Sequence, residues 1–228
     1  DRTGWWNLYR WVPPSGFGRG SVEAMAPMEG EVGLPQWVFG NSRYAFLDGG
    51  RVVFAQLRDG VDHLAVLGPD GSVVDLDLPY TSVGSVQASG DRVVAVVASA
   101  TSEPAVVSFR VAGTAVVGDV EVLRPPRDLG LDPAWFSVPE AISFPSAGGR
   151  TAHALWYPPT APDVVAPEGE RPPVVVLTHG GPTSADMRGP VREGPRSTRR
   201  DGSAARGAPS GSERGKGGKG GNAGKRRR

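Results

Sequence analysis

Asp48-Gly49-Gly50-Arg51-Val52-Val53 is echoed, at an offset of 41 residues, by Ser89-Gly90-Asp91-Arg92-Val93-Val94. Each hexapeptide is a glycine-bearing turn running into a β-branched stretch, the signature of a hairpin opening onto a strand. The match extends in both directions. Arg43-Tyr44-Ala45-Phe46-Leu47 precedes the first copy as Gly84-Ser85-Val86-Gln87-Ala88 precedes the second. Downstream, His63-Leu64-Ala65-Val66-Leu67 corresponds to Ala105-Val106-Val107-Ser108-Phe109, and Gly71-Ser72-Val73-Val74 to Gly113-Thr114-Ala115-Val116. Four short strands in a unit of roughly 40–45 residues is the period of a β-propeller blade. Such a blade is a four-stranded antiparallel sheet that depends on its neighbours to cover its faces. Trp5 to Trp11 reads as the third strand of an earlier blade and Pro13–Gly33 as an extended loop, with the Trp5-Trp6 pair in the propeller core. On this reading the chain carries the last two to three blades of a larger propeller.

The pattern changes after Pro125-Pro126. Asp128–Trp135 has the composition of a linker, with Pro133 interrupting any regular element. Val138–Phe144 and Thr151–Tyr157 are expected as two strands around the turn Ser146-Ala147-Gly148-Gly149, and a proline-rich connection follows from Pro158 to Pro173. Val174-Val175-Val176-Leu177-Thr178 is a continuous apolar, β-branched run. A strand buried on both faces has that composition, which points to an α/β sheet rather than another blade. The run ends in His179-Gly180-Gly181-Pro182. Glycines directly after a central strand allow the backbone to turn sharply and aim its amides into a cleft.

Composition narrows the remaining chemistry. The chain of 228 residues has no cysteine, which removes disulfides, cysteine zinc sites and thiol nucleophiles together. No apolar run approaches the roughly 20 residues of a membrane-spanning helix. The formal net charge of +1 is a cancellation between unlike parts. Residues 186–228 hold 13 Lys or Arg against 4 Asp or Glu, a net of +9, whereas residues 1–185 hold 12 arginines against 20 acidic residues, a net of −8. The basic segment has 11 glycines and only Met187 and Val191 as large aliphatic residues, so it is expected to be disordered.

The strand followed by His179-Gly180-Gly181-Pro182, coming after a propeller repeat and a hairpin, resembles the prolyl oligopeptidase family of serine peptidases. The likeness is to its dipeptidyl-aminopeptidase and acylaminoacyl-peptidase members. Further stretches carry it: Asp1-Arg2-Thr3-Gly4-Trp5-Trp6-Asn7-Leu8-Tyr9, Pro35-Gln36-Trp37-Val38-Phe39-Gly40, Leu131-Asp132-Pro133 with Ser137-Val138-Pro139-Glu140, Gly149-Arg150-Thr151-Ala152-His153-Ala154, and Tyr157-Pro158-Pro159. The resemblance runs to about Ala185 and then stops. It implies a propeller capping an α/β-hydrolase domain, with short peptides as substrates of the intact parent and no cofactor or metal. In that setting His179, Gly180, Gly181 and Pro182 are the oxyanion-loop candidates, their amides meeting the charge that develops on the substrate carbonyl.

The family's nucleophile is the serine of a G-x-S-x-G elbow, followed by the Asp and His of the triad. No G-x-S-x-G occurs in these residues. The triad is therefore expected to be missing from this chain and the polypeptide to be inactive. Other residues have plainer roles. His179 shapes its loop rather than acting as base, Ser184 does not sit on an elbow, and His153 is expected to be packed or half-exposed within a strand. His63 opens a blade strand, and three scattered histidines without spaced carboxylates make no metal site.

The domain reading is therefore residues 1–127 as propeller blades, 128–136 as linker, 137–185 as the start of the hydrolase domain, and 186–228 as the basic tail. Three origins are open for that tail: a nonspecific nucleic-acid-binding extension, a solvated segment without partner, or out-of-frame translation of GC-rich DNA. The last is preferred because the change of composition follows directly on the oxyanion loop. The competing reading of the whole chain is a noncatalytic propeller module whose tail associates with nucleic acid. No membrane association is expected and the oligomeric state is left open. The cytoplasm is favoured as compartment, with the true N-terminus taken as missing because the chain opens at Asp1.

Overall fold

The computed structural model describes residues 2–35, 38–171 and 173–178. Among these, twelve strands form four antiparallel sheets, and the only helical pieces are three single 3-10 turns. β1 (Leu8–Val12) pairs with β2 (Ser21–Ala26). β3 (Tyr44–Phe46), β4 (Val52–Arg58), β5 (Val61–Leu67) and β6 (Val73–Asp75) form the first four-stranded sheet, in chain order. β7 (Ser82–Ser89), β8 (Arg92–Ser99), β9 (Ser102–Ala112) and β10 (Ala115–Arg124) form the second. β11 (Glu140–Pro145) and β12 (Thr151–Trp156) close a separate hairpin.

The two four-stranded sheets are the two copies of the repeat. Local chemistry builds each one as a meander. Asp59-Gly60, both at positive φ (49° and 74°), make the tight connection between β4 and β5. This is the geometry a two-residue hairpin requires, and Asp-Gly tolerates it. Alternation then sorts the side chains. Val53, Ala55, Leu64 and Val66 point towards the second sheet, which presents Val93, Ala95, Val97, Val107 and Phe109 in return, all of them buried. The opposite face of the first sheet carries Phe54, Ala65 and Leu67 under Leu8, Met25, Ala26 and Met28 of the β1–β2 region. Each large side chain moved from water into such a layer contributes about 1.5–3 kcal/mol, and each sheet obtains that gain only because its neighbour is present.

The sheets draw together along their first strands. Val86 of β7 donates its amide to Ser42 O (2.8 Å), and Ser42 Oγ donates back to Val86 O (2.6 Å). A bulge between Gly84 and Gln87 makes this pairing possible, and it places Ser85 at φ 51°. The extra residue of a bulge re-aims the strand locally.

Three sequence expectations are corrected. Pro13–Gly33 is not an extended loop, because Ser21–Ala26 within it forms β2, tied to β1 by an Arg10–Glu23 ion pair of 2.6 Å. The Gly- and Pro-containing residues before Ser21 are the hairpin loop, and only the pairing with β1 makes Ser-Val-Glu-Ala-Met-Ala a strand. Trp5 is 38% exposed and Trp6 half-buried, so neither is core; Trp6 packs instead over Gly33, where an added Cβ would come within 2.9 Å of it. Pro133 opens a 3-10 turn, Pro133–Trp135, rather than merely interrupting one. Its missing N–H is not needed at that position, and Asp132 Oδ1 caps the turn by accepting from Ala134 N (2.8 Å).

Candidate functional site

The hairpin β11–β12 and the apolar run after it lead up to the expected oxyanion loop. Its register sets Ile142 opposite Ala154 and Phe144 opposite Ala152, so that these residues and Trp156 share one apolar face. That face and Val174–Leu177 border a cleft of about 540 Å³. The cleft is open to solvent: Ile142, Phe144 and Trp156 are 37–46% exposed and Val174–Leu177 60–80%. Val174–Thr178 is not a paired strand among the described residues. Its composition is that of a strand buried on both faces, but a central strand exists only through its neighbours' hydrogen bonds, and no described segment supplies them. His179, Gly180, Gly181, Pro182 and Ser184 lie outside the described residues.

The other histidines are placed. His153 stands exposed on β12, where it was expected packed or half-exposed, and its Nδ1 lies 2.8 Å from Ser143 Oγ across the hairpin. This is a cross-strand pair on the face opposite Phe144. Among the described residues no carboxylate bonds the imidazole, so the third member that orients a catalytic base is not there. His63 is half-buried on β5, facing Gln56 across the β4–β5 register. No group of three or more His, Asp or Glu among the described residues could hold a metal ion, and no described helix is long and apolar enough to cross a membrane.

The blades owe their mutual position to arginines that the sequence reading passed over. Arg43, 5% exposed, pairs with the fully buried Asp62 at 2.7 Å and donates to Val83 O (2.5 Å) and Val32 O (3.3 Å). The second oxygen of Asp62 accepts the amide of Val83 (2.8 Å). Both charges are thus hydrogen-bonded on several sides, the condition under which a buried pair is tolerated. At the other end of the sheets Arg51 pairs with Asp91 and donates to Gly113 O (2.6 Å), joining three turns. Its repeat counterpart Arg92 stays within its own sheet, on Ser108 Oγ (2.7 Å) and Glu121 (2.5 Å). On β6, Asp75 accepts from Gln56 (2.9 Å) and Arg58 (2.5 Å). In the turn ahead of β6, the Ser72 hydroxyl and amide hold the Asp70 carboxyl below its ordinary value of 3.8.

No family model matches the chain, and no curated protein sequence does. Solved structures do. The crystal structure of puromycin hydrolase is 34% identical over 82% of this chain, with a TM-score of 0.72. A serine-to-alanine mutant of puromycin hydrolase complexed with PGG matches at 34% identity over 83% of the chain, again with a TM-score of 0.72. A puromycin-hydrolyzing peptidase of Mycobacterium tuberculosis matches at 34% identity over 75% of the chain, with a TM-score of 0.65. The chain belongs to the prolyl oligopeptidase family. It spans 27%, 28% and 25% of the lengths of these three structures. Within the prolyl oligopeptidase family its antiparallel sheets correspond to the propeller-like portion of the puromycin hydrolase fold.

Proposed function

We propose that the chain is part of a propeller-capped serine peptidase that cleaves short peptides. Residues 1–127 supply propeller blades, 128–136 the linker, and 137–185 the start of an α/β-hydrolase domain. The observation that carries this reading is the series of two four-stranded repeat sheets, capped turn and hairpin, in a chain 34% identical to puromycin-hydrolysing enzymes. In the whole protein a serine on an elbow would attack the peptide carbonyl while a histidine takes its proton. The resulting oxyanion would be met by amides of the His179-Gly180-Gly181-Pro182 loop, and the acyl-enzyme then hydrolysed.

The 228-residue polypeptide itself is expected to be inactive. It contains no G-x-S-x-G, and oxyanion donors without an activated nucleophile cannot form an acyl-enzyme. Incubation with peptidyl p-nitroanilides should release no p-nitroaniline above background, and a fluorophosphonate probe should label no serine. Labelling of any serine would overturn the assignment of inactivity. Translating the coding DNA beyond residue 185 in the other two frames tests the origin of the tail: a hydrolase-like continuation bearing G-x-S-x-G is expected in one of them. Salt-dependent retention of residues 1–185 on DNA would instead favour a binding module.

A further inference from the structure

We propose that the loop joining β1 to β2 is a lipid-contacting tip, which sets Phe17 and Trp11 into the interfacial zone of a bilayer bearing anionic headgroups. Nothing in this rests on the peptidase reading. Loop length is the first observation. The other seven hairpins among the described residues turn in two to five residues each, whereas eight residues, Pro13-Pro14-Ser15-Gly16-Phe17-Gly18-Arg19-Gly20, join β1 to β2. Closing two antiparallel strands needs no such length. Connections longer than their turn requires are where binding residues collect.

What this loop holds out is apolar. Phe17 is fully exposed, and Gly16 and Gly18 on either side of it have open space where a Cβ would stand. At the base of the loop a Cβ on Gly20 would come within 2.6 Å of Trp11 Nε1, so the indole lies against the returning backbone. That contact steadies Trp11 while leaving it 63% exposed, beside its exposed cross-strand partner Val22. Exposed apolar residues scattered singly are ordinary. Here a phenylalanine, a seated tryptophan and a valine gather at one end of one hairpin.

Charge selects the partner. Residues 2–23 hold Arg2, Arg10 and Arg19 against Glu23, a net of +2, whereas residues 24–178 hold 9 arginines against 18 acidic residues, a net of −9. Arg10 is neutralised by Glu23 across the ladder, and the Arg2 guanidinium lies 5.8 Å from the centre of the Tyr9 ring. Arg19, in the loop itself, is exposed and has no partner among the described residues. The loop is thus the cationic end of an otherwise acidic body. An anionic bilayer attracts that end and repels the remainder, so the orientation follows from the signs of the charges.

Aromatic side chains favour the boundary between headgroups and acyl chains, where an indole keeps its N–H close to water. Nucleic acid offers the same charge, but its bases stack on aromatic faces set in succession along a groove. A glycine-flanked phenylalanine on a protruding loop is not such a platform. The expectation of no membrane association rested on the lack of a spanning run, and an interfacial contact needs none.

The test uses the full chain carrying Ser15→Cys and an environment-sensitive dye, attached at one place because the sequence has no other cysteine. Residues 186–228 carry a net of +9 and are drawn to anionic vesicles by themselves, so insertion of the label, not sedimentation, is the readout. Phosphatidylcholine vesicles containing phosphatidylserine should shift the dye emission to the blue, and brominated acyl chains should quench it. Phe17→Asp should weaken this response by about tenfold or more, as loss of one buried aromatic side chain implies. The circular dichroism should not change, because Phe17 is fully exposed. Arg19→Glu should weaken the response as well, and a label at Ser146→Cys should keep its aqueous emission. No blue shift at Ser15→Cys would sink the proposal. So would an equal response in Phe17→Asp, with the Ser146→Cys label, with vesicles lacking phosphatidylserine, or with duplex DNA in place of vesicles. Fluorophosphonate labelling of a serine would count against the assignment of inactivity alone and leave this result untouched.

Discussion

At Asp48-Gly49-Gly50-Arg51 and again at Ala147-Gly148-Gly149-Arg150 the chain makes the same 3-10 turn. Gly49 and Gly148 sit at φ 71° and 68°, Gly50 and Gly149 at 73° and 72°. In both, the arginine Nε donates to the carbonyl three residues back, at 2.9 Å in the first and 3.2 Å in the second. The flanking backbone also closes alike, Leu47 N on Arg51 O and Ser146 N on Arg150 O. The surroundings differ. Arg51 extends to Asp91 and Gly113 of the next sheet, and the strand that follows its turn, β4, buries Val53 and Phe54 completely. Around the second turn every residue of β11 is exposed. One local conformation therefore serves a packed blade and an uncovered hairpin, and the packing partner, not the turn, makes the difference.

The comparison can be broken at four places. The largest effect is expected from Asp62→Ala, which leaves the Arg43 guanidinium buried without its counter-charge and should cost about 3–5 kcal/mol. Urea unfolding of the full chain checks this. The double replacement Arg43→Met with Asp62→Leu should recover most of the loss, since both charges are then gone. Next come two matched truncations. Phe54→Ala, at a side chain with no exposure, should cost about 3–4 kcal/mol, and Phe144→Ala in the hairpin less than about 0.5 kcal/mol. Equal losses at the two sites would show that the hairpin face is covered in solution.

A smaller pair sharpens the role of the shared turn. Arg51→Ala removes a partly buried ion pair and three carbonyl contacts, and should lower stability by about 1–2 kcal/mol. Arg150→Ala should stay within about 0.5 kcal/mol of the parent. Smallest is the acid dependence set by Asp70. Its pKa is depressed in the folded state, so its contribution is present above the ordinary value of 3.8 and is lost as pH falls below that, through the folded value. Ser72→Ala should flatten this part of the stability–pH curve, and an unchanged slope in acid would refute the Ser72 contacts as its cause.

Much of the architecture was legible in the residues. The 41-residue echo marks two units, and the Asp59-Gly60, Gly90-Asp91 and Gly113-Thr114 pairs mark hairpins, because positive φ is a local demand met by few residue types. The β11–β12 hairpin was legible for the same reason. Ser21–Ala26 was not, because its alternation is weak and only β1 makes it a strand. The buried Arg43–Asp62 pair was equally hidden: its members are 19 residues apart and nothing in either neighbourhood distinguishes them from surface charges. Of the candidate site, the sequence carried the His179-Gly180-Gly181-Pro182 motif and its apolar approach, while the exposed Ser143–His153 contact depended on hairpin register.

By itself, then, the sequence determined the repeat, the turns, the alternation of each blade strand and the family, all of which are written in residues close along the chain. Only the tertiary structure decided which faces are covered. Phe54 and Tyr44 stand side by side on one sheet with the same pattern around them, yet one is sealed beneath β1–β2 and the other faces solvent. Burial is a property of the neighbouring layer, and no strand encodes its neighbour's extent.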